Sequence, residues 1–233
     1  MITVIGFDAD DTLWVNEPNY LEAEKALCRL LSGWKPEAEV SGILFSTEMA
    51  NLELYGYGAK SFVLSMVETA LNVSNDRVDA QTIREITGLG KSLINRDVVL
   101  LEGVEEALQQ LSARYRLILA TKGDLVDQER KLSKSGLEKY FHHIEIMRDK
   151  KEANYRRLLS HLDIPAAEFL MVGNSVKSDI LPVLSLGGHA VHIPFHTTWQ
   201  HEQTDHLPDH PLFTELSTID QLPQFIASYE INH

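Results

Sequence analysis

Ile2-Thr3-Val4-Ile5-Gly6-Phe7 runs straight into Asp8-Ala9-Asp10-Asp11-Thr12-Leu13. The first half is a short apolar run with β-branched residues and reads as a buried strand. The second half sets three carboxylates within four positions at that strand's end. Like charges this close destabilise one another unless a cation or a proton intervenes. An acidic turn that opens a helix is the plainer account of the same residues. The rest of the chain decides between the two.

Four more short runs read as strands: Arg116–Ala120, Ile144–Met147, Phe169–Val172 and Ala190–Ile193. Each is rich in branched or aromatic residues and bounded by polar or glycine-containing turns. Helical spacing lies between them, over Val104–Ala113, Leu125–Ser135 and Tyr155–His161. Strands alternating with helices imply right-handed crossovers and a parallel sheet covered on both faces, an α/β Rossmann-like core. In such a sheet the ligand site lies beyond the C-terminal ends of the strands.

Residues 16–96 break the alternation. Phe62, Val63, Met66, Val67, Ala70 and Leu71 form one helical stripe, and Tyr20, Ala23, Leu27, Leu30 and Leu31 another. This segment reads as an all-helical cap inserted after the first strand, with residues 1–15 and 97–233 as the core. An insertion at that point hangs over the strand ends, where a lid belongs; a helical subdomain with no gating role is the alternative.

Composition narrows the partners. The chain has 233 residues, 44% of them hydrophobic, enough for a substantial core. Acidic residues number 34 against 21 basic ones, a net charge of -13, which repels nucleic acid and anionic lipid. No nucleic-acid or membrane partner is expected. An anionic substrate would therefore need a locally positive pocket or a bound cation. The single cysteine, Cys28, lies in an apolar stretch and reads as a core thiol. The start lacks a basic signal-peptide region, and no stretch is long enough to span a bilayer, so a cytoplasmic location is expected.

Three further features stand at strand ends. Thr121 closes the run Leu117–Ala120 and leads into Lys122-Gly123-Asp124, where a hydroxyl and backbone N–H groups can hold phosphate oxygens or simply cap a helix. Lys150 and Lys151 follow the third strand and offer an ammonium to the same place, or sit solvated on a loop. Phe169–Gly173 leads into Asn174-Ser175-Val176-Lys177-Ser178-Asp179, oxygen ligands of the kind that suits magnesium. A capped turn is the alternative there too. Tyr55-Gly56-Tyr57-Gly58 with Lys60 joins two helical stripes and is either a glycine turn with packing tyrosines or, through Tyr57 and Lys60, a substrate loop. The histidines of the last third, among them His189, His192, His196 and His201, match no ligand spacing and read as surface and loop residues.

Taken together in this order, the strand-end residues resemble the haloacid dehalogenase-like hydrolase superfamily over essentially the whole length. Asp8, Asp10 and Thr12 match its D-x-D-x-T motif, Thr121 its second motif, and Lys150, or alternatively Lys151, its lysine. Gly173-Asn174 with Asp179 matches its acidic motif, with Asn174 where the family often carries Asp. The resemblance implies a magnesium-dependent phosphohydrolase acting on a small phosphorylated substrate. Asp8 is then the nucleophile and Asp10 the general acid and base. Thr121, the backbone around Lys122 and Lys150 hold phosphate, and Asp8, the Asp10 carbonyl and Asn174 or Asp179 hold Mg2+. A 2-haloacid dehalogenase, a phosphotransferase or phosphomutase, and a non-catalytic phosphate-binding protein are the alternatives. Asp10 argues against the dehalogenase, because halide leaves without a proton.

Overall fold

The computed structural model describes residues 1–204 and 206–232; Asp205 and His233, at the far end of the expected core range, lie outside the described residues. Six parallel strands form one sheet in the order β3-β2-β1-β4-β5-β6. They are β1 (Val4–Phe7), β2 (Arg116–Lys122), β3 (His143–Met147), β4 (Phe169–Gly173), β5 (His189–His192) and β6 (Phe213–Glu215). β1 lies between β2 and β4, with Phe7 level with Leu119 on one side and Val172 on the other. The α/β Rossmann-like architecture expected from the sequence is therefore observed. β6 carries no such signal: three residues after a long irregular segment are too short for an alternation to show.

Alternation along the strands builds two cores. Ile5 and Phe7 of β1, Leu117 and Leu119 of β2, and Leu170 and Val172 of β4 face one side. There they meet Val104, Leu108 and Leu111 of α5 (Val104–Ser112), Leu132 of α6 (Leu125–Ser135), and Leu222 and Ile226 of α9 (Leu222–Asn232). Val4, Ile118, Ala120, Phe169 and Met171 face the other side. They pack on Tyr155, Leu158 and Leu159 of α7 (Glu152–His161) and on Val183 of α8 (Leu181–Leu184). Each buried Val, Leu, Ile, Phe or Met side chain among these contributes roughly 1.5–3 kcal/mol. Gly6 is the small residue this packing requires: a methyl there would lie 2.6 Å from the Phe169 ring.

The chain divides into two compact units. The sheet unit comprises Met1–Glu17, Val98–Lys122 and Glu129–His233. The second comprises Pro18–Asp97 with the short piece Gly123–Gln128, which the sequence-based boundaries had assigned to the core. Its helices are α1 (Glu17–Leu30), α2 (Glu37–Tyr55), α3 (Ala59–Ser74) and α4 (Ala80–Asn95). Leu27, Leu31, Val40, Leu44, Phe62, Met66 and Ile86 form its core, with the Cys28 thiol buried among them. α3 and α4 approach closely at Gly90, where a methyl would meet Val63 at 1.9 Å. Asp79 caps α4 by accepting the Thr82 N–H at 2.7 Å. Among the described residues no helix is long and apolar enough to cross a membrane.

Candidate active site

Asp8 is the first residue beyond β1, and its N–H still bonds the Val172 carbonyl at 2.9 Å. The central strand thus delivers a buried carboxylate to the C-terminal edge of the sheet. The turn that follows is tight. Asp11 takes a left-handed backbone, φ 62°, unusual for a residue with a side chain. Its carboxylate offsets the strain by accepting the N–H groups of Asn16 (2.8 Å) and Glu17 (2.9 Å). Burial nonetheless pushes the Asp11 carboxyl up to about 7.

The Lys150 ammonium, itself buried, bonds Asp8 Oδ1 and lies 2.7 Å from Asp179 Oδ1. Lys151 is exposed and pairs with Asp149 at 2.8 Å. Of the two lysines, only Lys150 is brought to the carboxylates. Asp179 completes its set by accepting the Ser175 N–H on Oδ2 at 3.0 Å. It fits there because residue 173 is glycine: a methyl would sit 2.3 Å from the Asp179 carboxyl carbon. The short π-helical turn Val176–Ile180 carries Asp179 back toward the strand end.

Two carboxylates and one ammonium in a buried place leave the group one positive charge short. Burial pushes the Asp8 carboxyl up to about 7; Lys150 opposes this and the neighbouring Asp179 adds to it. The same two carboxylates hold the Lys150 ammonium above its ordinary range, against the effect of its own burial. The Thr12 hydroxyl bonds Asp8 Oδ2 at 3.1 Å and accepts the Asn174 N–H at 3.1 Å, tying the turns after β1 and β4 together. The Asn174 amide oxygen faces oxygens. Turning the amide over would put its nitrogen 3.3 Å from the Asp10 carbonyl, 3.3 Å from Asp8 Oδ2 and 3.2 Å from Thr12 Oγ1. The one proton of the Thr12 hydroxyl is shared between Asp8 Oδ2 and the Asn174 amide oxygen, 3.2 Å away. A carboxylate, a backbone carbonyl and an amide oxygen converging beside a charge deficit fit a hard cation such as Mg2+. Asp179, expected as a possible ligand, accepts from Lys150 on Oδ1 and from the Ser175 N–H on Oδ2, which leaves one lone pair on each oxygen.

Asp10 Oδ1 is held by the Lys131 ammonium of α6 at 2.6 Å and by the Trp14 indole N–H at 2.7 Å. Thr121 is buried at the end of β2. The side chain of Lys122, expected to serve phosphate through its backbone, bonds Ser178 Oγ at 2.8 Å and pairs with Glu202. His192, grouped by sequence with surface histidines, is instead buried on β5; its ring spans Glu215 (2.8 Å) and the Asn174 carbonyl (3.1 Å). Tyr57 and Lys60 belong to the helical unit. Tyr57 sits between two positive-φ glycines, Gly56 and Gly58, and Lys60 pairs with Asp124 at 3.0 Å. Sequence reasoning missed Trp14, Lys131, His192 and Glu202, and took Ser175 only as one oxygen of its turn. Only Trp14, four residues after Asp10, carried a local signal.

A buried aspartate at the end of a central strand, with a threonine, a lysine and an oxygen-rich turn at the ends of other strands of the sheet, is an arrangement suited to a hydrolase of the parallel α/β class. The model of the haloacid dehalogenase-like hydrolase family matches residues 2–187. A haloacid dehalogenase-like family hydrolase from Xanthomonas campestris has a structure similar to this one: 36% identity, TM-score 0.90, covering 99% of this chain and 93% of its own. The chain belongs to the haloacid dehalogenase-like hydrolase family. Its fold is also shared by a 2-haloacid dehalogenase from Pseudomonas syringae pv. tomato (20% identity, TM-score 0.65, 98% and 100% of the two chains). It is shared too by a phosphatase of the family from Thermococcus onnurineus (19%, TM-score 0.60, 97% and 98%). No functionally curated protein matches the chain by sequence.

Proposed function

We propose that this hydrolase is a magnesium-dependent phosphatase, cleaving a small phosphorylated metabolite through an aspartyl-phosphate on Asp8. One observation carries the reading: a second carboxylate, Asp10, stands two residues beyond Asp8, oriented by Lys131 and Trp14. An alkoxide leaving group needs a proton, and an acid placed beside it contributes ~10²–10⁴-fold. Halide departs without one, so Asp10 has work in phosphate ester hydrolysis and none in dehalogenation.

In this reading the Asp8 carboxylate attacks phosphorus as the bond to the ester oxygen breaks, and Asp10 gives that oxygen its proton. Asp10 then takes a proton from water, whose oxygen attacks the phosphorus of the acyl phosphate. Inorganic phosphate leaves and Asp8 is regenerated. Lys150 holds Asp8 in place, and together with Thr121 and the backbone at Lys122 it binds the non-bridging oxygens. Asp8, the Asp10 carbonyl and Asn174 or Asp179 would hold magnesium, with Asp179 also fixing Lys150. When bound, the ion supplies the missing positive charge and screens the carboxylate from the phosphate dianion. The helical unit is taken as the cap that selects the substrate, with Tyr57 and Lys60 as its contact residues. An acidic chain of this kind suits a cytoplasmic metabolite better than nucleic acid or lipid.

The second reading, a carbon–halogen hydrolase, has one observation in its favour. Asn174 stands where a carboxylate would strengthen a metal site, and Lys150 already compensates Asp8. One comparison tests both. Asp10→Asn should slow alkyl phosphates by ~10²–10⁴-fold and activated aryl phosphates far less. Metal-independent chloride release from 2-chloropropionate exceeding phosphate release across a broad ester panel would establish the second reading instead.

A further inference from the structure

We infer that Glu202 is a positioning residue of this active site, clamping the segments that leave β2 and β4 on either side of Asp8. Its use in catalysis rests on Asp8 being the nucleophile, as proposed above; the clamp itself rests on geometry alone.

After β5 the chain runs irregularly and returns to the strand ends in the short turn Gln200–Glu202. The Glu202 carboxylate arrives with its side chain 11% exposed. There it pairs with the Lys122 ammonium and accepts the hydroxyls of Ser175 and Ser178, the latter at 2.8 Å. Lys122 Nζ also donates to Ser178 Oγ at 2.8 Å, closing a ring. Lys122 is the last residue of β2 and follows Thr121. Ser175 lies two residues beyond the end of β4, and its N–H holds Asp179, which holds Lys150, which holds Asp8. β2 and β4 both pair with β1, whose next residue is Asp8. One carboxylate thus spans the two flanks of the nucleophile, joined to it through Ser175, Asp179 and Lys150.

The ring joins one charged pair to two hydroxyls. Burial alone would push the Glu202 carboxyl up, but the Lys122 ammonium and the two serine hydroxyls hold it at about 2. Three of the roughly four lone-pair sites of this part-buried carboxylate are taken, by Lys122, Ser175 and Ser178, which makes it a poor proton acceptor. Its role is therefore to fix spacing, and a misplacement near 1 Å at a reacting centre costs on the order of 10²-fold in rate.

The test is Glu202→Gln, which keeps the shape and removes the charge, assayed on p-nitrophenyl phosphate with magnesium. Amide hydrogen exchange is followed in the same protein at Thr121, Lys122 and Ser175–Asp179. We expect kcat to fall about 10–100-fold, with KM unchanged or lower, because Lys122 released from its partner attracts the phosphate dianion. Simple loosening of the fold would raise KM instead. We also expect faster exchange at both segments. A kcat within twofold of wild type together with unchanged exchange overturns the inference, as does a fall in kcat that only tracks an unfolded fraction. If wild type releases no phosphate, the proposed function fails, and exchange alone then decides: faster at both segments upholds the clamp, unchanged overturns it. If Glu202→Gln does not fold, Lys122→Met with Glu202→Leu removes both charges together. The same kcat and exchange outcomes then apply, without the KM criterion, because the ammonium is gone.

Discussion

Replacing Asn174 by aspartate should make the folded protein depend on a divalent cation. In the native chain the amide has two ways to satisfy its surroundings. Its oxygen can join Asp8 Oδ2 and the Asp10 carbonyl around a cation, or its nitrogen can donate to them at 3.3 Å. Aspartate keeps only the first. A second charge 3.3 Å from Asp8 Oδ2 costs about 5 kcal/mol at an effective dielectric constant near 20. The protein can escape that cost by taking up a proton. Asp8, pushed up to about 7 by burial, takes that proton almost freely at neutral pH, whereas at pH 9 protonating it costs about 3 kcal/mol. The smaller figure is the ceiling, so Asn174→Asp should lose up to ~3 kcal/mol in chelator at pH 9 and little at pH 6. For a chain of this length that is a drop in Tm at pH 9 of up to about 6–12 °C. Saturating Mg2+ should bring the variant back to within a few degrees of wild type, and the variant should bind Mg2+ more tightly. Differential scanning calorimetry with chelator and with a magnesium series reads both effects without reference to turnover. An unchanged Tm in chelator at pH 9 would mean that these oxygens do not face one another, and the cation site built on them would fall.

Two further outcomes concern stability. Gly173→Ala should destabilise the protein by about 1–3 kcal/mol, because its methyl lands 2.3 Å from the Asp179 carboxyl carbon and must dislodge that side chain from Lys150 and Ser175; urea denaturation indistinguishable from wild type would contradict this. Glu48, on α2, is pushed up to about 8 by burial, with Glu24 adding to it. A raised carboxyl contributes its stability below its unfolded value near 4.5 and loses it as pH rises toward 8. Glu48→Gln should therefore leave Tm little changed at pH 4.5. Glu48 is only half-buried, so solvent screening reduces the full linkage energy. The gain at pH 8.5 should be about 1–2 kcal/mol, or roughly 2–8 °C. A Tm difference that does not grow with pH would refute the assignment.

What the sequence made legible follows from how far each interaction reaches along the chain. Strands β1 to β5 announced themselves because each is a short apolar run between polar or glycine-containing turns, a property of neighbouring residues. Asp8, Asp10, Thr121 and Asn174 were legible because a strand end is a place that can be found from the strand itself. Asp10's partner Lys131 and Lys122's partner Glu202 were not, because they meet across 121 and 80 residues. In sequence Lys131 is one member of Glu129-Arg130-Lys131, an ordinary solvated charge run. Nor could composition tell Lys150 from Lys151. The choice is made by the turn leaving β3, which buries one ammonium against two carboxylates and leaves its neighbour on Asp149 in solvent. The same reach explains why glycine at 173 reads in sequence as a strand ending. Only the return of the chain through Val176–Ile180 brings Asp179 over that residue and turns a permissive position into an obligatory one.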